Sequence, residues 1–147
     1  MKYVLMLLTL VVGALMPVQA ILNTRLGKQI GGPLMGSLVS FIVGLIFLLF
    51  LNLASNYQAV GQLRNGSASP WWVWLGGMLG AIFVGYITWV NQRQGLAITF
   101  ALVVSGQLLI SLVIDHYGLL GATIRTITLE KVIGLVLIIG GMLLIKK

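Results

Sequence analysis

Apolar residues in this chain fall into five blocks separated by short polar joints. The blocks cover residues 3–23, 34–53, 71–91, 96–114 and 131–146. An α-helix rises ~1.5 Å per residue, so about 20 apolar residues cross the ~30 Å hydrocarbon core of a bilayer. The pattern therefore predicts an all-α integral membrane protein with five transmembrane helices, and a single domain over residues 1–147. Arg25, Gly27, Lys28, Gly31, Gly32 and Pro33 are expected to form the first turn. A stretch rich in Asn, Gln, Ser and Gly follows the second block from Asn52 to Pro70. Trp71, Trp72 and Trp74 then open the third, where an interfacial belt of aromatics is expected. Asn91 to Gly95 reads as a tight turn. Asp115 to Glu130 reads as a loop with room for a short interfacial helix. The fifth block is the short one, because only Val132 to Ile145 separates Lys131 from Lys146.

Composition strengthens the membrane reading. Of 147 residues, 59% are hydrophobic and 7% charged, where a soluble domain carries about 25%. Mean hydropathy is +1.09. A net charge of +7 in a soluble protein would suggest nucleic acid. Here the cations stand singly or in pairs at block ends, as anchors snorkelling to lipid headgroups do, so membrane lipids and not nucleic acid are the expected contact. The first block loosely resembles a signal peptide, with Lys2 before an apolar run and Val18-Gln19-Ala20 as a small-residue site. The run continues through Ile21 and Leu22, which favours a retained span.

Charge also bears on orientation. With five spans, Lys2, Arg64, Arg125 and Lys131 fall on one side, and Arg25, Lys28, Arg93, Lys146 and Lys147 on the other. These four and five make up the chain's nine Lys and Arg. An excess of cytoplasmic Lys and Arg normally sets topology, and this split supplies almost none. A chain without a preference inserts both ways up, and two opposed copies make an inverted pair of the kind found in small-molecule transporters. The expectation is an antiparallel dual-topology dimer of ten helices, either a homodimer or a pair with an oppositely oriented paralogue. If the fifth block does not cross, Lys146 and Lys147 change sides and the tally becomes about six against three.

Few polar groups lie at membrane depth, where each needs a partner or a purpose. Pro17 cannot donate to the Gly13 carbonyl, so a bend and a freed acceptor are expected there. Gln19 and Asn23 lie four apart on one helix face. Together these groups suit a polar part of a solute, although interhelical hydrogen bonds that only hold the bundle are the alternative. Gln107, Ser111 and Asp115 recur at steps of four, a stripe from mid-membrane to one interface. Ser40 joins Gln19, Asn23, Gln107, Ser111 and Pro17 as a candidate substrate-binding residue. Asp115 is a coupling candidate, since a carboxylate at a helix C-terminus opposes the dipole; a solvated helix end is the alternative. His116 reads as part of that helix end. Tyr86 and Trp89 could line a cavity or face lipid, and Glu130 could cap the fifth helix. Gly36, Ser40 and Gly44, then Gly76 and Gly80, then Gly77, Ala81 and Gly85, are spaced for close helix packing, and Gly106 is placed with them. Cys is absent and His116 is the single His, so neither metal nor cofactor is expected. No catalytic constellation is present, and the chain is not expected to be an enzyme.

Several segments resemble the DUF606 (YdcZ-like) family. They are Gly13-Ala14-Leu15-Met16-Pro17-Val18-Gln19-Ala20 with Asn23 and Leu26-Gly27, then Pro33, Ser40-Phe41 and Gly44. Trp72-Val73-Trp74-Leu75-Gly76-Gly77-Met78-Leu79-Gly80-Ala81 follows. The last are Gly95, Thr99-Phe100-Ala101-Leu102-Val103-Val104, Gly106-Gln107-Leu108 and Asp115-His116-Tyr117-Gly118. The resemblance spans essentially the whole chain. It implies a half unit of the drug/metabolite transporter superfamily in a bacterial inner membrane, assembled like the small multidrug transporters. It also implies a transporter but not its solute; the residues themselves, apolar surroundings with amides and hydroxyls and few charges, favour a small-molecule solute that is amphipathic, neutral or lipid-like over a free ion. Unlike the small multidrug pattern, the first span has no mid-membrane Glu or Asp, so carboxylate-driven proton exchange does not carry over.

Overall fold

A computed structural model describes residues 1–145, without the side chains of 56, 57, 59, 60, 63, 64, 67 and 145. The Arg64 side chain, Lys146 and Lys147, all counted in the charge tally, lie outside the described residues. Five α-helices follow one another: α1 Lys2–Ile30, α2 Pro33–Gly61, α3 Leu75–Gln94, α4 Leu96–Tyr117 and α5 Leu129–Ile145. Short 3-10 turns occupy Gln62–Ala68, Trp71–Trp74 and Leu119–Gly121.

α1, α2 and α4 outrun their apolar blocks, whereas α3 begins only at Leu75, after the 3-10 turn over Trp71–Trp74. The first turn is Gly31-Gly32 alone, not the whole stretch from Arg25, because nothing breaks the helix before that pair. Gly31 and Gly32 hold φ of 107° and 121°, a conformation that costs glycine little. The Gly32 N–H closes on the Gly27 carbonyl at 2.7 Å, and Pro33 starts α2 where its missing N–H is not needed. The polar stretch after Asn52 likewise stays helical to Gly61, since neither Gly nor Pro intervenes. α4 runs past Ile114 to Tyr117 and ends on left-handed Gly118.

Among the described residues, four helices are long and apolar enough to cross a membrane. α5 has 17 residues, about 26 Å at ~1.5 Å each, which is less than the ~30 Å core. The four-against-five charge balance depends on this helix.

The chain forms two compact units, Met1–Gln92 and Arg93–Lys147. In the first, α1 and α2 make a tight antiparallel hairpin. A β-carbon at Gly36 would lie 2.9 Å from the Gly27 nitrogen and 3.1 Å from its Cα, so backbone meets backbone. α3 joins the hairpin with Gly85 against Leu34 and Gly80 against Phe41. In the second unit α4 packs on α5, and the connecting segment folds back on the end of α4. The Arg125 N–H reaches the Asp115 carbonyl at 2.8 Å. The Ile127 N–H reaches His116 Nδ1 at 3.3 Å.

Burial is inverted relative to a soluble protein. Buried apolar side chains are Ala20, Ile87 and Val90, whereas Asn23, Thr24, Ser37, Thr88, Asn91, Thr99 and Ser105 are buried polar ones. Nearly every large aliphatic residue of α1 and α2 faces outward. That arrangement suits a lipid solvent, where polar groups must be satisfied inside the protein.

Candidate solute site

The α1–α2 hairpin carries a groove just beyond its tightest contact. Where Gly36 meets Asn23 and Gly27 the helices touch. One turn along, Gln19 and Ser40 flank a cavity of about 320 Å³. Phe41, Gly44, Leu45 and Leu48 complete its lining. The cavity is polar at one end, through an amide and a hydroxyl, and apolar at the other; no charged side chain lines it. A cavity of this volume lies at the lower end of small-ligand sites. The Gln19 amide has no hydrogen bond to any described residue, so it is available to a guest.

Below the cavity, three helices are joined by uncharged hydrogen bonds. The Thr24 hydroxyl lies 3.0 Å from Asn91 Oδ1 and 2.8 Å from the Ala20 carbonyl. Asn91 Nδ2 donates to the same Ala20 carbonyl at 3.4 Å. The Ser37 hydroxyl lies 3.1 Å from the Thr88 hydroxyl, and Thr88 also reaches the Val84 carbonyl at 2.8 Å. α1 and α2 are thereby each tied to α3. Hydroxyls are poor in protons here: Thr24 has one proton and several acceptors within reach, so it serves one of them at a time.

Asn23 differs from its neighbours. It is 4% exposed, yet its Nδ2 has no hydrogen-bond partner among the described residues. A buried unsatisfied donor costs about 1–3 kcal/mol, and native proteins keep few of them.

The other predicted residues take different places. Pro17 lies inside α1, which continues through it, and is half-buried. Gln107, Ser111 and Asp115 belong to the second unit. Gln107 and Ser111 are exposed, and the Ser111 hydroxyl turns back to the Gln107 carbonyl at 2.6 Å. Asp115 is half-buried at the end of α4. Of the packing glycines, Gly36 and Gly80 meet neighbours, whereas a β-carbon at Gly44, Gly76 or Gly106 would meet open space within this chain. Tyr86 and Trp89 are exposed and lie against each other, with centroids 5.8 Å apart. At the start of α5, the Thr128 hydroxyl, and then the backbone N–H of Glu130, hold the Glu130 carboxyl below its usual pKa.

Sequence reasoning missed Thr24, Ser37, Thr88 and Asn91. It left Thr24 just past the first span and Asn91 at the very end of the third, and gave Ser37 and Thr88, inside the second and third spans, no role. Their signal was topological: a hairpin brings the end of the first span, the start of the second and the end of the third to one side.

Outward aliphatic faces, buried hydroxyls and amides, and an uncharged helix-lined cavity define an integral membrane protein of transporter type. The chain belongs to the family described as "Putative inner membrane exporter, YdcZ", whose model matches residues 4–144. Its location is accordingly the inner membrane, and the family's description is that of an exporter. No curated protein and no solved structure matches the chain.

Proposed function

We propose that the protein exports a small amphipathic solute, neutral or lipid-like, and that the cavity between α1 and α2 receives it. The carrying observation is the cavity itself: Gln19 and Ser40 stand at one end, Phe41, Leu45 and Leu48 at the other, with no charge between. An ion would meet no counter-charge there, and an unpaired charge at membrane depth costs several kcal/mol. A neutral amphiphile matches both ends. Transport follows by alternating access in an antiparallel homodimer, each chain contributing one five-helix unit. The near-even distribution of Lys and Arg supports that arrangement. Gly76, which meets open space within this chain, leaves room for a second copy. Asp115, half-buried at the end of α4, is the coupling candidate; Gln107 and Ser111 add a polar stripe on α4.

The test is transbilayer movement of a fluorescent NBD-labelled monoacylglycerol in proteoliposomes, read by dithionite quenching. Wild-type protein is expected to accelerate it, and Gln19→Leu combined with Ser40→Ala to reduce the rate about tenfold while the protein stays folded. A second reading, a non-transporting lipid-binding or structural subunit paired with a paralogue, predicts no acceleration by wild type. It also predicts loss of assembly in the variant.

A further inference from the structure

We infer that Asn23 holds a hydrogen-bond donor in reserve for the solute, and that the solute is therefore an amphiphile whose uncharged head carries an acceptor oxygen, as an ester or amide does. The inference rests on the reading of the α1–α2 cavity as the transport site and narrows what that site takes.

Three observations lead there. The Asn23 amide nitrogen is buried and unpartnered, although acceptors crowd the same layer: the Ala20, Thr88, Val84 and Pro33 carbonyls all take bonds from Thr24, Asn91, Ser37, Thr88 or Gln92. Every other polar side chain buried in that layer is bonded, so the gap is specific to one atom. Secondly, Asn23 continues the face on which Gln19 lines the cavity, about 6 Å further along the helix. On α2, Gly36 and Ser37 continue from Ser40 in the same direction. Thirdly, Gly36 abuts the Asn23 backbone. The Asn23 amide nitrogen is buried in this closed state of the hairpin.

The physical consequence is a sequence of two donors. A solute in the cavity meets Gln19 first, with its tail along Phe41, Leu45 and Leu48. When α1 and α2 part at Gly36, the head moves one turn and its oxygen satisfies Asn23. An orphan donor in a low-dielectric setting raises the free energy of the closed state. Supplying its bond in the open state favours a head with an acceptor. A primary ammonium head brings only donors, and a hydrocarbon brings nothing. Solute binding and helix separation are coupled by differential interaction of one ligand with two states.

Binding of methyl octanoate and of octylammonium to the full-length protein in nanodiscs tests this, with saturation-transfer NMR on wild type, Asn23→Leu and Gln19→Leu. Comparing each probe across variants removes its partitioning into lipid. Asn23→Leu is expected to weaken methyl octanoate about tenfold, to leave octylammonium unchanged, and to unfold at the same or a higher temperature than wild type, since an unsatisfied donor is removed. Equal ester binding by wild type and Asn23→Leu would overturn the inference, with Gln19→Leu still weakened showing that the cavity stands as the site. Lower stability or failure to fold in Asn23→Leu would overturn it too, making the amide structural. Ester binding by no variant, wild type included, would overturn both the inference and the proposed site. Retained ester binding in Asn23→Leu with an ordered water on Asn23 in wild type would show a trapped water only.

Discussion

The residues that decide this molecule are uncharged. Thr24, Ser37, Thr88 and Asn91 hold three helix ends together with hydroxyls and one amide. Interhelical bonds of this kind contribute about 0.6 kcal/mol each on average in membranes, and up to ~2 kcal/mol in model systems. Thr88→Val removes a bond between α2 and α3, and is expected to lower stability by roughly 1 kcal/mol in a reversible unfolding titration. A loss below measurement would show the cluster to be incidental. Gln19 and Asn23 were legible in sequence as amides four apart on an apolar helix, and the structure separates their circumstances: one is exposed at a cavity, the other buried without a partner among the described residues. Spacing alone cannot make that distinction, because it depends on where Gly36 of another helix lands.

At the scale of the element, five apolar blocks corresponded to five helices, and most boundaries moved outward, while α3 starts later than its block, at Leu75. Hydropathy marks where lipid ends, whereas helices end at breakers, here Gly31-Gly32 and Gly118. Small-residue spacing was a partial guide. Gly36 meets backbone and Gly106 meets nothing in its own chain, although both fit the expected pattern. Gly36→Ala should cost about 1–3 kcal/mol by forcing α1 from α2, and Gly106→Ala about 0.5 kcal/mol or less in either direction. Equal effects in thermal unfolding would refute the close contact. Glu130 tests the start of α5. Its carboxyl pKa is lowered in the folded state, so its contribution is present above the unfolded pKa and lost as pH falls through the folded one. Amide exchange in the first turn of α5 should therefore speed up relative to the rest of the helix on acidification below the carboxylate range. Thr128→Val should bring that change to a higher pH, and a profile identical to wild type would contradict the cap.

The whole molecule is organised by its solvent. Aliphatic side chains face out and hydroxyls face in, and the family is one of inner-membrane export. Composition made the membrane class legible and the motif segments made the family so; the cavity was not, because it arises from a tight contact at Gly36 and a looser one at Gly44, a difference created by two helices together. Orientation is the large-scale prediction. The sequence contains no Cys, so a single Ser69→Cys change, in the exposed segment between α2 and α3, labels one side unambiguously. A membrane-impermeant maleimide is expected to reach comparable fractions from each face, and labelling from one face only would rule out dual topology for this chain alone. The most direct test of the α1–α2 cavity as the solute site is photo-crosslinking with a neutral monoacylglycerol bearing a diazirine in its chain, mapped by mass spectrometry. Adducts concentrated on Ser40 to Leu48 and around Gln19, and competed by unlabelled monoacylglycerol, are the predicted result. Adducts spread evenly over the outward faces of all helices, and insensitive to competitor, would contradict it.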